Sequence, residues 1–215
     1  MAGLVLFLHG LTGNQHSWGA VPDFVRQSPL GQTFDVVPLE YSATAFGSAQ
    51  IATSAQQVLT QIETRYAAYD PIYFVGHSLG GLMAREICRQ LLLNDPDSMM
   101  SKIGGVITVG TPLAGVRFGN WLLRYTPIVT PKLRELTKNH FDGYRVAIRK
   151  AVARSAKRPK HFHIAIENDM VIAKYIADHF TEDDYNAGVI PGSHRNFASS
   201  NKDASYVADV LEPIR

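Results

Sequence analysis

The side chain whose surroundings best suit a nucleophile is Ser78, in the stretch YFVGHSLGGLMARE at residues 73–86. It lies within Gly76-His77-Ser78-Leu79-Gly80, a G-x-S-x-G pattern with an apolar run before it and a helical pattern after it. A serine exposed at the tip of a strand-to-helix reversal must take a positive φ, and the strand and helix then pass close together. Glycines two residues to either side remove the Cβ atoms that would collide. The competing reading, a glycine-rich phosphate loop, needs G-K-[ST] next, whereas Gly80-Gly81 is followed by Leu82-Met83.

A serine alone is a poor nucleophile, so the chemistry also requires a base, an acid to orient it, and donors for an oxyanion. The expected chain order is Ser, then Asp or Glu, then His, with acid and base in loops after later strands. The run HFHIAI at 161–166 leads into Glu167-Asn168-Asp169, which makes Asp169 the candidate acid and Glu167 the alternative. Asp178, Asp183 and Asp184 read as turn residues of a polar loop. Of eight histidines, His194 follows the short run GVIPGS and precedes a last helical pattern, as the base should. His161 and His163 open a strand, His179 lies in an Asp-rich loop, and His140 lies in a long interval, all positions that suit structural roles. For the oxyanion, the Leu79 amide opens the helix after Ser78, and the turn HGLTGN offers the Leu11 amide. His9 reads as a hydrogen-bonded residue that shapes that turn.

Positioning these residues requires strands that end in functional loops. Apolar runs at 4–8, 34–39, 72–76, 105–110, 161–166 and 188–190 predict about six strands. Helical patterns alternate with them, the clearest carrying Ile51, Ala55, Val58, Leu59, Ile62 and Tyr66 on one stripe. Alternating strands and helices predict an α/β domain with a mostly parallel sheet flanked by helices, and 215 residues suit a single domain over 1–215. Residues 113–160 break the rhythm and predict a cap or lid insertion. Within it, Trp121, Leu122 and Tyr125 are candidates to line the substrate side; the alternative is a small satellite core beneath a loop.

A net charge of +2 gives no reason to expect nucleic acid as a partner, which normally shows itself as a concentrated basic excess over a face. Residues 145–160 nevertheless hold Arg145, Arg149, Lys150, Arg154, Lys157, Arg158 and Lys160 without an acidic residue. This is a solvated helix face or, alternatively, a peripheral contact for anionic lipid or acidic substrate. The single cysteine, Cys88, sits among Ile87, Leu91 and Leu92 and reads as core. The Leu4–Leu8 run lacks a basic start and stops after five residues, so it predicts neither leader nor membrane span, and the expected location is cytoplasmic.

Taken together, LFLHGLTGN at 6–14, YFVGHSLGGLMAR at 73–85, VGTPLAG at 109–115, ENDMVI at 167–172 and GSHRNF at 192–197 resemble the α/β-hydrolase superfamily. Within it they are similar to lipase-like serine esterases, including bacterial lipases and proteins similar to the GPI-inositol deacylases. The resemblance implies a minimal α/β-hydrolase fold, a triad of Ser78, Asp169 and His194, and oxyanion donors Leu11 and Leu79. It implies hydrolysis of a small-molecule ester or lipid through an acyl-enzyme, with neither cofactor nor metal. The sequence departs from the family in three ways. Its sheet begins at the strand usually third, Leu113 rather than His follows Thr111-Pro112, and the glycine common before the acid is absent. Ser-His-Asp chemistry equally serves phospholipid or thioester acyl hydrolysis and acyl transfer. Readings from other classes are a non-catalytic binding protein of hydrolase fold and a membrane-surface scaffold.

Overall fold

The computed structural model describes residues 2–43, 48–95, 97–113, 142–150, 157–169, 184–194, 196–198 and 200–211. Six parallel strands form one sheet in the order β2-β1-β3-β4-β5-β6. They are β1 (Gly3–Leu8), β2 (Phe34–Leu39), β3 (Ile72–His77), β4 (Ile103–Val109), β5 (Lys160–Ile166) and β6 (Asp184–Ile190). The helices are α1 (Val21–Gln27), α2 (Ser48–Gln61), α3 (Leu79–Asn94), the single turn α4 (Met99–Lys102), α5 over 142–150, and α6 (Asn201–Leu211). Ile62–Tyr66 prolongs α2 as a wider π turn.

Every residue of β1 is buried because the strand is covered on both faces. Alternation sends Leu4, Leu6 and Leu8 into a core shared with α2, α3 and α5. Val5 and Phe7 enter the opposite core with Val21 and Val25 of α1 and Val207 and Leu211 of α6. Each fully buried Leu or Phe contributes roughly 1.5–3 kcal/mol. The α2 stripe points inward as its spacing predicts, with Ile51, Ala55, Val58, Leu59 and Ile62 all buried.

Two elements differ from the sequence expectation. β6 begins at Asp184, four residues before the apolar GVI run, because an edge strand need not be apolar along its length. The register shift opposite His163 and Ile164 passes over Ala187 and brings Gly188, at φ +142°, into line. The interval between β4 and β5 also contains α5, whose Tyr144, Ala147 and Ile148 belong to the core. The expected cap otherwise falls on 114–141 and 151–156, outside the described residues, as do Trp121, Leu122 and Tyr125.

Parallel strands place all their carboxyl ends along one edge, so the loops after β1, β3, β4, β5 and β6 gather there. At the other edge lie Lys160, the first residue of β5, and Lys157, which donates to the carbonyl of Ser101 just before β4. Among the described residues no helix is long and apolar enough to cross a membrane.

Candidate active site

Ser78 stands between β3 and α3 at φ +53° and ψ −119°, a conformation a side chain adopts only under strain. Close packing enforces it. A Cβ on Gly76 would lie 2.5 Å from the Gly80 carbonyl, and one on Gly80 would lie 2.2 Å from the Leu8 carbonyl oxygen. The Ser78 amide donates to the Val109 carbonyl at 3.0 Å, which ties the turn to the end of β4.

His194, in the loop after β6, bridges Ser78 and Asp169. Its Nδ1 lies 2.7 Å from Asp169 Oδ2 and its Nε2 lies 2.9 Å from Ser78 Oγ. A carboxylate only accepts, so Nδ1 carries the proton and Nε2 is left to accept from the serine hydroxyl. Asp169 is buried, while Glu167 is exposed. The acid and base loops are laced together: the Glu167 amide donates to Ile190 O at 2.8 Å and the Asn168 amide to Gly192 O at 3.0 Å. Such backbone bonds fix the distance between two loops more firmly than side-chain contacts would.

The turn after β1 packs directly on the serine, since a Cβ on Gly10 would lie 3.2 Å from Ser78 Cβ. Leu79 begins α3, so its N–H has no partner within the helix. The Leu11 amide makes no hydrogen bond among the described residues. Among the described residues, the Leu11 N–H has no acceptor and the Leu79 N–H has none within its helix, and both belong to turns that meet at Ser78. His9 is buried, bonds Gly10 O through Nδ1 at 3.0 Å and stacks on Tyr41, a structural placement within the turn.

Three residues beside these carry no signal in the motif. His77, the variable position before Ser78, packs its ring 4.9 Å from that of His194, 4.5 Å from Phe197 and 6.1 Å from Trp18. Burial above all, and then the charge His194 can carry, lower its pKa to about 3, although a bond with the His194 backbone opposes this. His77 therefore stays neutral beside the base. Gly110, at φ +50°, faces the acid: a Cβ there would lie 3.1 Å from Asp169 Oδ2. Trp18, at the end of the short 3-10 turn Gln15–Trp18 after β1, meets the His77 ring edge-on.

Other titratable groups are engaged in the interior. His163 pairs with Thr108 at 2.6 Å and His161 with Tyr144, both inside the core. Burial pushes the Cys88 thiol up to about 12, so it offers no rival thiolate. His140 and His179 lie outside the described residues. No group of three His, Cys, Asp or Glu among the described residues is arranged to hold a metal.

Comparison with known proteins agrees with this architecture. The family model described as "Alpha/beta hydrolase family" matches residues 5–202. No curated protein matches the chain. The fold is similar to a monoacylglycerol lipase of Paleococcus ferrophilus (15% identity, 99% of this chain and 95% of that one, TM-score 0.58). It is similar also to an extracellular α/β-hydrolase from a Paenibacillus species (14% identity, 99% and 98%, TM-score 0.61). A third similar structure is the RedJ thioesterase of the Streptomyces coelicolor prodiginine pathway (17% identity, 100% and 86%, TM-score 0.62). With its all-parallel sheet, its strained serine after β3 and a family match over most of its length, the chain belongs to the alpha/beta hydrolase family.

Proposed function

We propose that the protein is a serine hydrolase that cleaves carboxylic esters through an acyl-enzyme. The observation that carries this reading is the relay from Ser78 Oγ through His194 to Asp169, at 2.9 and 2.7 Å, on a serine held at positive φ. In the first half-reaction Ser78 Oγ bonds to the ester carbonyl carbon and its proton passes to His194 Nε2. Asp169 stabilises the imidazolium, and the Leu11 and Leu79 amides donate to the oxyanion. Loss of one such donor typically costs about 2.7–4 kcal/mol of barrier. Collapse breaks the carbon–oxygen bond to the alcohol, which leaves with the proton from His194. Water then attacks the acyl-enzyme by the same path, releasing the acid and restoring Ser78.

Trp121, Leu122 and Tyr125 are assigned to the acyl side on their sequence pattern. The Lys157 and Lys160 end of the molecule lies opposite Ser78, which favours a solvated basic face over a contact that delivers lipid to the site. Hydrolysis of p-nitrophenyl esters across acyl lengths, beside an acyl thioester of matched chain, tests the class. Ester turnover that depends on Ser78 and exceeds thioester turnover is expected. A strong preference for the thioester would move the assignment to acyl-thioester hydrolysis.

A further inference from the structure

The Leu11 N–H belongs to the Gly10–Leu11 peptide, and in a trans peptide the N–H points opposite to the C=O. That carbonyl accepts from the Gly13 amide at 3.1 Å and from His9 Nδ1 at 3.0 Å. The direction of the Leu11 N–H is therefore set by the Gly13 amide and the His9 ring together. What fixes the ring arrives from a different element, the loop after β2. Tyr41 stacks on His9 with centroids 4.1 Å apart and planes 13° from parallel, and its hydroxyl donates to the His9 carbonyl. Tyr41 is buried, and burial, followed by the Glu40 charge, pushes its phenol far above the ordinary range. The hydroxyl thus remains a donor at any working pH. Two further bonds bind the same loop to the turn: the Thr12 amide to Ala43 O at 3.0 Å and the Gln15 amide to Glu40 Oε2 at 2.9 Å.

We propose that Tyr41 is a positioning residue for the oxyanion site, holding His9 so that the Leu11 N–H faces the tetrahedral oxygen. The proposal rests on the serine-hydrolase reading above. A residue that aims an oxyanion donor acts on the tetrahedral state and leaves binding of the planar ester alone. A residue that only fills the core would alter stability without that selectivity.

Tyr41→Phe keeps the ring and removes the hydroxyl. With p-nitrophenyl butyrate, kcat should fall about tenfold while KM stays within about twofold. A butylboronic acid provides the second readout, because Ser78 Oγ bonds to boron and passes its proton to His194, leaving a tetrahedral anionic adduct. Its inhibition constant should rise by the same factor as kcat falls. If the folded variant keeps wild-type kcat and boronate affinity, or if only its melting temperature moves, Tyr41 has no positioning role. Should Tyr41→Phe fail to fold, Glu40→Ala loosens the same loop from the surface: a smaller kcat loss at constant KM supports the proposal, and unchanged kcat overturns it. Wild-type protein that neither reacts with a fluorophosphonate nor binds the boronate would sink the hydrolase reading itself, whatever the Tyr41 variant does.

Discussion

Ser78 and His194 lie 116 positions apart in the chain and 2.9 Å apart in the fold, and Asp169 completes the line at 2.7 Å. Because Asp169 holds the imidazole in the tautomer that leaves Nε2 free to accept, Asp169→Asn should lower kcat by about 10⁴-fold while the fold persists. Steady-state kinetics beside a thermal melt checks this. His77 contributes a neutral ring against His194. His77→Phe should therefore retain most of the wild-type kcat, whereas His77→Ala should lose roughly 10- to 100-fold by freeing the base. Equal rates for the two variants would show the ring contact to be idle. At this scale the sequence singled out two residues that the fold brings into contact: the serine by its glycines, the histidine by its place after the last strand. It left Asp169 and Glu167 open, and burial separates them: one meets His194 and the other faces solvent. His77, Tyr41 and Gly110 were illegible because their work lies in what they touch across the fold, and no spacing rule encodes a ring contact or a missing Cβ.

Elements deliver these residues through their ends. Ser78 follows β3, the Val109 carbonyl that holds its turn ends β4, Asp169 follows β5, His194 follows β6, and the turn that packs on Ser78 follows β1. Gly110, just past β4, has a positive φ and no space for a Cβ between Ile166 Cδ1, at 2.6 Å, and Asp169 Oδ2. Gly110→Ala should thus cost about 1–3 kcal/mol in stability, read by urea unfolding, and lower kcat by displacing the acid. Within the interval between β4 and β5, Trp121→Ala should raise KM for long-chain p-nitrophenyl esters several-fold and leave the butyrate nearly unchanged, as expected for a lost apolar contact of about 1–3 kcal/mol. The strands were legible wherever both faces are covered, since a doubly buried strand reads as an unbroken apolar run. β6 was visible only in its apolar half, and α5 was hidden because its Tyr144, Ala147 and Ile148 are spread among exposed cations.

At the scale of the whole molecule, two cores on opposite faces of one sheet hold the reactive edge rigid. Stability should carry the signature of His77, whose pKa is about 3 in the folded chain against an ordinary value of 6.5. Between those values the unfolded chain binds a proton that the folded chain does not. Its contribution is therefore complete above pH 6.5 and declines as the pH falls toward 3. Melting temperatures across that range should slope less steeply in His77→Phe than in wild type. The class of fold was readable from alternating patterns, because a parallel sheet needs helical crossovers. The placement of Lys157 and Lys160 at the edge opposite Ser78 was not, because charge in a sequence carries no direction. The account turns on whether Ser78 is the nucleophile, and labelling with a fluorophosphonate, combined with ester hydrolysis by wild type and Ser78→Ala, tests it most directly. Wild type should be labelled with loss of fluoride, and the folded Ser78→Ala protein should take no label and lose on the order of 10⁴- to 10⁶-fold in kcat. A folded Ser78→Ala protein that still takes the label, or hydrolyses the ester at the wild-type rate, would contradict it.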